Sequence, residues 1–312
     1  MPPSRWASFC WRGVFSFPAG TAQPRHLPIR NRQAKAMHPI LFHLGSFPVR
    51  SYGVMVLAGF LMGLWYASGA ARRRLKTLPE GDPRAITPDQ VADMALVGLF
   101  VAIAGARALY VLLDLDQFRG HWIDVVKVWT GGLSIHGAIV CGIAYVWWYS
   151  RRHHLHFLAF ADLCAPAFAL GYAIGRIGCF LNGCCYGVAC NLPWAVRFQK
   201  EGEPGVLTPP SHPTQLYATA MNLLWFVLLD RWSRRPHRDG EIFVGYLALY
   251  CVYRFIDEQF RKGATADVFV AGLTHAQVFS LAAFPILVAV LWRMRRNAAA
   301  TDVARQASRR GA

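Results

Sequence analysis

The sequence predicts an all-α polytopic membrane protein of about seven transmembrane helices, with the N-terminus outside, the C-terminus inside and a small extracytoplasmic cap. Three observations predict it. The 312 residues are 54% hydrophobic and 13% aromatic, with a mean hydropathy of +0.27, more apolar than an ordinary soluble domain. Apolar segments of about the twenty residues a bilayer requires recur along the chain. Basic residues fall in bursts directly after alternate segments, the pattern that marks the cytoplasmic ends of membrane helices. The formal net charge of +16 therefore points to membrane orientation rather than to nucleic acid.

Taken in order, residues 1–36 do not fit this pattern. They carry Arg5, Arg12, Arg25, Arg30, Arg32 and Lys35 among scattered prolines, and their apolar patch is broken by Arg12, Gly13 and Pro18, a poor signal peptide. The expectation is a start at Met37, with 1–36 a disordered tail or a mis-called extension. Finding earlier residues by N-terminal sequencing of the native protein would refute it.

The expected transmembrane domain covers 37–296, with apolar segments near 52–71, 91–113, 132–150, 157–175, 214–230, 241–258 and 275–292. Arg72, Arg73, Arg74 and Lys76 follow the first, and Arg151 and Arg152 the third. Arg231, Arg234, Arg235 and Arg238 follow the fifth; Arg293, Arg295 and Arg296 follow the seventh. All four bursts fall on one face, the cytoplasmic one by this bias, with 297–312 a cytoplasmic tail. The loop with Trp122 and Trp129, the stretch 176–213 and the segment from Arg261 to Thr274 then lie outside. At its length, 176–213 is expected to form the cap.

Candidate chemistry collects at that outer side. The stretch from Gly175 to Gly187 mixes Arg176, Asn182, Cys179, Cys184, Cys185 and four glycines between apolar flanks. Arg254 and Glu258 are four apart and share a helical face, with Arg261 next along it. Arg254 lies within an apolar run and needs an anionic partner, whereas Arg261 is equally an ion pair snorkelling at a helix end. Arg107, deep in another run, is either functional or paired structurally with Asp162 or another buried carboxylate. His136 sits among glycines, and an imidazole suits proton transfer at physiological pH. Of the eight cysteines, Cys141, Cys164 and Cys251 read as small hydrophobes. The cluster of Cys179, Cys184, Cys185 and Cys190 lacks the paired C-x-x-C spacing of common zinc sites. A structural disulfide or free buried thiols are expected there rather than a metal.

RSYGVM at 50–55, GAR at 105–107, GGLSIHGA at 131–138, GRIGCFLNGCCYG at 175–187, HPTQLY at 212–217 and YCVYRFIDEQFR at 250–261 together resemble the bacterial prolipoprotein diacylglyceryl transferases. The resemblance runs from about Met37 to Arg296. It departs from the family pattern at Cys179, where the family usually has asparagine, and at Cys184, where it usually has glutamate. The proline-aspartate that usually follows the last block is also missing.

The resemblance implies a multi-pass enzyme of the bacterial inner membrane. It would move an sn-1,2-diacylglyceryl group from phosphatidylglycerol to the lipobox cysteine of a prolipoprotein signal peptide, without metal or organic cofactor. Such a reaction must deprotonate a thiol and hold a phosphate as charge builds on its leaving oxygen. His136, Arg176 and Arg254 are the implied catalytic residues. Tyr52, Arg107, Asn182, Gly187, Tyr250, Glu258 and Arg261 are the implied substrate-binding residues. The rival readings are a same-fold relative with altered or absent activity, a membrane thiol-redox protein using the cysteines of 179–190, and a transporter.

Overall fold

A computed structural model describes residues 38–45, 47–128, 131–199, 206–261, 268–270 and 272–310. The expectations for 1–36 and Met37, and Trp129, lie outside the described residues. The described residues open with an antiparallel hairpin, β1 (Ile40–Leu44) and β2 (Phe47–Arg50), feeding α1 (Ser51–Leu75). Then come α2 (Pro88–Leu113), a single turn α3 (Leu115–Phe118), a 3-10 segment (Trp122–Val126) and α4 (Ile135–Arg152). The second half comprises α5 (Phe157–Asn182), α6 (Thr214–Ser233), α7 (Glu241–Glu258), the short pair β3 (Val268–Val270) and β4 (Leu273–Thr274), and α8 (His275–Arg310).

Among the described residues, seven helices are long, one for each apolar segment of the sequence. Four, α1, α2, α5 and α8 as far as Arg296, are long and apolar enough to cross a membrane. The remaining three carry more polar residues: Asn222 and Asp230 in α6, Arg254, Asp257 and Glu258 in α7, and a closing Arg151-Arg152 in α4. Large apolar side chains such as Trp65, Phe100, Val140 and Phe279 point outward, as expected of a polytopic membrane protein whose solvent is lipid.

Helix α5 is the centre of the bundle and packs on α1, α6 and α7. Small residues let the backbones approach. A Cβ at Gly59 would stand 2.8 Å from the Gly171 carbonyl oxygen, and one at Gly178 would stand 2.9 Å from the Met55 Cβ. The α2–α4 pair uses the same device. A Cβ at Gly137 would meet the Gly105 carbonyl oxygen at 2.3 Å, so two of the sequence blocks meet as a small-residue helix seam.

The basic ends of α1, α6 and α8 converge at one end of the bundle. There Arg74 pairs with Asp239, Arg234 with Asp230 at 2.9 Å, and Arg295 with Glu241 at 2.7 Å. Asp162 belongs to this end as well. It accepts from the backbone N–H groups of Gly240 (2.7 Å) and Phe243 (2.9 Å) and so caps the start of α7.

At the other end, α5 runs on through Asn182. Arg176 and Cys179 are therefore helical, and the connecting segment begins at Gly183 rather than at 176. Within that segment Phe198 is fully buried, stacked on Tyr186 at 5.0 Å and edge-on to Phe180 at 6.0 Å. Short backbone bridges join Ala189 and Val196 to Ser211, and Gln199 to Leu207.

Candidate active site

The C-terminal ends of α5 and α7 meet at this second end. On α7, Arg254, Asp257, Glu258 and Arg261 are spaced i, i+3, i+4 and i+7, one face of a helix and its continuation. Arg254 Nη2 lies 2.9 Å from Glu258 Oε2. Asp257 Oδ2 lies 3.7 Å from Arg254 Nη1, 3.5 Å from Arg261 Nη1 and, across the helix interface, 3.8 Å from Arg176 Nη2. Arg176, Asp257 and Glu258 are 7%, 4% and 4% exposed.

Three guanidinium groups thus surround two buried carboxylates, leaving one net positive charge. The hydrogen-bonding capacity of Arg176 is not used up: its Nε and Nη2 have no hydrogen-bond partner among the described residues. Buried guanidinium donors without acceptors are costly, and they are suited to hold an oxyanion by two parallel bonds.

Aromatic residues floor the cluster. Tyr172, one turn before Arg176, lies with its ring 5.8 Å below that guanidinium and with its hydroxyl 3.0 Å from the Tyr253 hydroxyl. Tyr253 in turn donates to Asp257 Oδ2 at 3.3 Å. Tyr250 packs edge-on to both tyrosines, at 6.4 Å from Tyr172 and 5.7 Å from Tyr253. An apolar cavity of about 380 Å³, lined in part by Leu192, Trp194, Met221, Ile256 and Phe260, reaches Tyr253 and Asp257 from between α6 and α7.

Beyond Arg176 the backbone turns sharply. Gly183 takes φ 76° as the left-handed cap of α5, with the Cys184 N–H returning to the Cys179 carbonyl at 3.2 Å, and Cys185 follows at φ 62°. This left-handed closure folds Cys184 and Cys185 back over Cys179. The ligating atoms of all three lie within 4.8 Å of one another.

The HPTQLY block holds the turn. Thr214 Oγ1 donates to the Cys185 carbonyl at 2.8 Å and Gln215 Nε2 to the Cys184 carbonyl at 2.6 Å, both from fully buried side chains. Cys185 is held below the ordinary thiol range by hydrogen bonds from Cys179 and Cys184, with Arg176 and Arg261 adding their charge. All seven cysteines among the described residues are free thiols.

The remaining expected residues distribute as follows. Tyr52, in the first turn of α1, lies beside Arg176 and the three thiols. Asn182 is the exposed last residue of α5, next to Cys184. Gly187 is wedged, since a Cβ there would stand 2.2 Å from the Phe260 carbonyl oxygen. Its bridge to Arg261 ties the thiol turn to the arginine face, a scaffold contact.

His136 is exposed in the first turn of α4, at the same end of the bundle. Because α4 packs on α2, the structure does not bring it against Arg176 or Arg254, and it makes no hydrogen bond or ion pair among the described residues. Of the two readings of Arg107, the structural pairing with Asp162 or another carboxylate is corrected. Arg107 donates to the backbone carbonyls of Asp124, Val125, Gly131 and Gly132, because α2 stands beside the loop before α4 and away from Asp162 on α5.

Asp257, Tyr172, Tyr253, Thr214 and Gln215 were missed as site residues from the sequence. Thr214, Gln215, Tyr253 and Asp257 lie inside two of the quoted blocks, and Asp257 also stands three residues after Arg254 on the same face.

The family model described as prolipoprotein diacylglyceryl transferase matches residues 39–293. Similar relatives include the phosphatidylglycerol–prolipoprotein diacylglyceryl transferases of Aliivibrio salmonicida, 32% identical over 85% of this chain and 90% of the relative, and of Vibrio cholerae, 32% identical over 83% and 92%. The Vibrio vulnificus enzyme of the same name is 34% identical over 82% and 89%. The chain belongs to the prolipoprotein diacylglyceryl transferase family.

Proposed function

We propose that this protein is an enzyme that transfers an sn-1,2-diacylglyceryl group from phosphatidylglycerol to the lipobox cysteine thiol of prolipoprotein signal peptides, the first step of lipoprotein maturation. The observation that carries this reading is the buried Arg176, with two unspent donors inside a cluster of net charge +1. A phosphodiester head group carries a single negative charge and supplies the paired oxygens that a guanidinium fork accepts.

In the transfer, the acceptor sulfur bonds to the terminal glyceryl carbon. The carbon–oxygen bond to phosphate breaks, and glycerol phosphate leaves with the electron pair. Arg176 and Arg254 hold the phosphate and meet the charge growing on its leaving oxygen. Glu258 and Asp257 fix the arginines. Tyr52, Asn182 and Tyr250 contribute polar contacts to the head group, and Arg261 closes the cluster from just beyond α7. His136 receives the thiol proton once substrate spans the distance from α4. The donor lipid reaches the site sideways, through the apolar cavity between α6 and α7.

The same reading gives seven spans in the bacterial inner membrane, with the basic ends cytoplasmic and 183–213 forming the extracytoplasmic cap. Its support is the convergence of the basic ends at one pole, opposite the arginine cluster.

Vesicles of defined composition test the donor. Purified protein should modify a lipobox peptide in phosphatidylglycerol vesicles and leave it unchanged in phosphatidylcholine vesicles. Equal product in both would contradict the assignment of the anionic head group to this cluster.

A further inference from the structure

The three-thiol cluster at the end of α5 is not needed for phosphate binding and departs from the family pattern, so its chemistry calls for a separate account. We propose that Cys179, Cys184 and Cys185 form a three-coordinate site for a thiophilic divalent cation of the zinc class, whose open fourth position takes the thiol of the acceptor cysteine.

Geometry supports the site. All three ligating atoms fall within 4.8 Å of one another. Zinc–sulfur bonds of about 2.3 Å would place tetrahedral ligands about 3.8 Å apart, so closing the site needs a contraction of roughly an ångström. The thiols need no search to come together, because the turn is fixed from below. The left-handed Gly183 and Cys185 set its path, and the buried Thr214 and Gln215 hold the Cys185 and Cys184 carbonyls. Anchoring of ligand segments by neighbouring polar groups is what keeps metal sites in register.

Among the described residues no fourth cysteine, histidine or carboxylate joins the cluster. Three protein ligands and an open position are the arrangement of catalytic rather than structural zinc. The sequence spacing, C-x4-C-C, conceals this arrangement. Cys179 belongs to the last helical turn and the other two are folded back onto it from beyond the cap.

Position supports the occupant. The cluster lies one helical turn beyond Arg176, whose charge, with that of Arg261, acts on Cys185. A bound metal would hold the acceptor as a thiolate next to the phosphate clamp, releasing its proton to His136 or water. The metal-held sulfur then supplies the electron pair for the new carbon–sulfur bond. This rests on the transferase reading, but only in its last step.

The test uses full-length protein in detergent, purified anaerobically, with cobalt(II) as the spectroscopic probe. The expected result is one cobalt per chain, with thiolate-to-cobalt charge-transfer bands and the visible bands of a tetrahedral ion. Each of Cys179→Ser, Cys184→Ser and Cys185→Ser should weaken binding at least tenfold, and Cys190→Ser should leave it unchanged. A lipobox peptide should shift the cobalt spectrum, and the same peptide with serine for cysteine should not.

Absence of the charge-transfer bands, or a disulfide among the three cysteines under these conditions, overturns the site. Cobalt binding without a peptide-dependent shift overturns the role of the fourth position. Transfer measured on the same preparation separates the two readings. Chelation of zinc-loaded protein should lower it on the order of 100-fold, as loss of a proton-removing group does. Undiminished transfer after complete metal removal overturns the metal's part and leaves the transferase reading standing.

Discussion

Arg176 of α5 and Asp257 of α7 face one another across the helix interface at 3.8 Å, and Asp257 is at the same time the neighbour of Arg254 and Arg261. The pair joins two sequence blocks some eighty residues apart into one charged centre. Asp257 sets the spacing of three guanidinium groups that would otherwise repel each other, and Arg176 keeps two donors for a ligand.

Replacing Asp257 with Asn should therefore harm both stability and transfer. Removing one partner of a buried ion cluster costs about 3–5 kcal/mol, so the thermal midpoint in detergent should fall clearly. Retained stability with full transfer would remove Asp257 from the account.

Arg176→Lys keeps the charge but loses the fork. Transfer should drop on the order of 100-fold, the scale of a lost oxyanion donor, with a small change in thermal midpoint. Wild-type kinetics in this variant would mean that a point charge is enough there. Arg254→Ala should cost more than Arg261→Ala. Arg254 has a carboxylate of its own in Glu258 at 2.9 Å, whereas Arg261 pairs, among the described residues, with Asp257.

Gly137→Ala and Gly175→Ala separate helix packing from helix propensity. A Cβ at Gly137 meets the Gly105 carbonyl oxygen at 2.3 Å, whereas one at Gly175 meets nothing within 4 Å. The first should destabilise by about 1–3 kcal/mol through overpacking. The second should be neutral or slightly stabilising, since alanine favours the helix. Thermal unfolding in detergent reads both.

His136→Ala should lower the turnover rate on the order of 100-fold, within the range of a lost general base, without weakening phosphatidylglycerol binding. Unchanged turnover would assign the proton to a phosphate oxygen or to water.

The helices were legible because each apolar run is long and bounded by glycine, proline or basic residues. The ion pairing within α7 was legible for the same reason that any helix face is: spacing alone puts Arg254 beside Glu258. Asp257 was passed over although it shares that face, because its decisive partner, Arg176, comes from another helix and depends on how α5 and α7 pack. Arg107 misled in the opposite sense. A pair with a carboxylate was one of its two readings, and loop carbonyls satisfy it instead. The cysteines were visible as a group, but the convergence of three of them was hidden by their spacing, since the left-handed turn at Gly183 is what brings Cys184 and Cys185 over Cys179.

Mass spectrometry of a lipobox peptide incubated with purified protein and phosphatidylglycerol reads the transfer itself. The wild-type chain should give a diacylglyceryl mass gain on the cysteine sulfur, and Arg176→Ala should lose it. An unmodified peptide with wild-type protein, under conditions where the Vibrio cholerae relative gives product, would contradict the transferase reading.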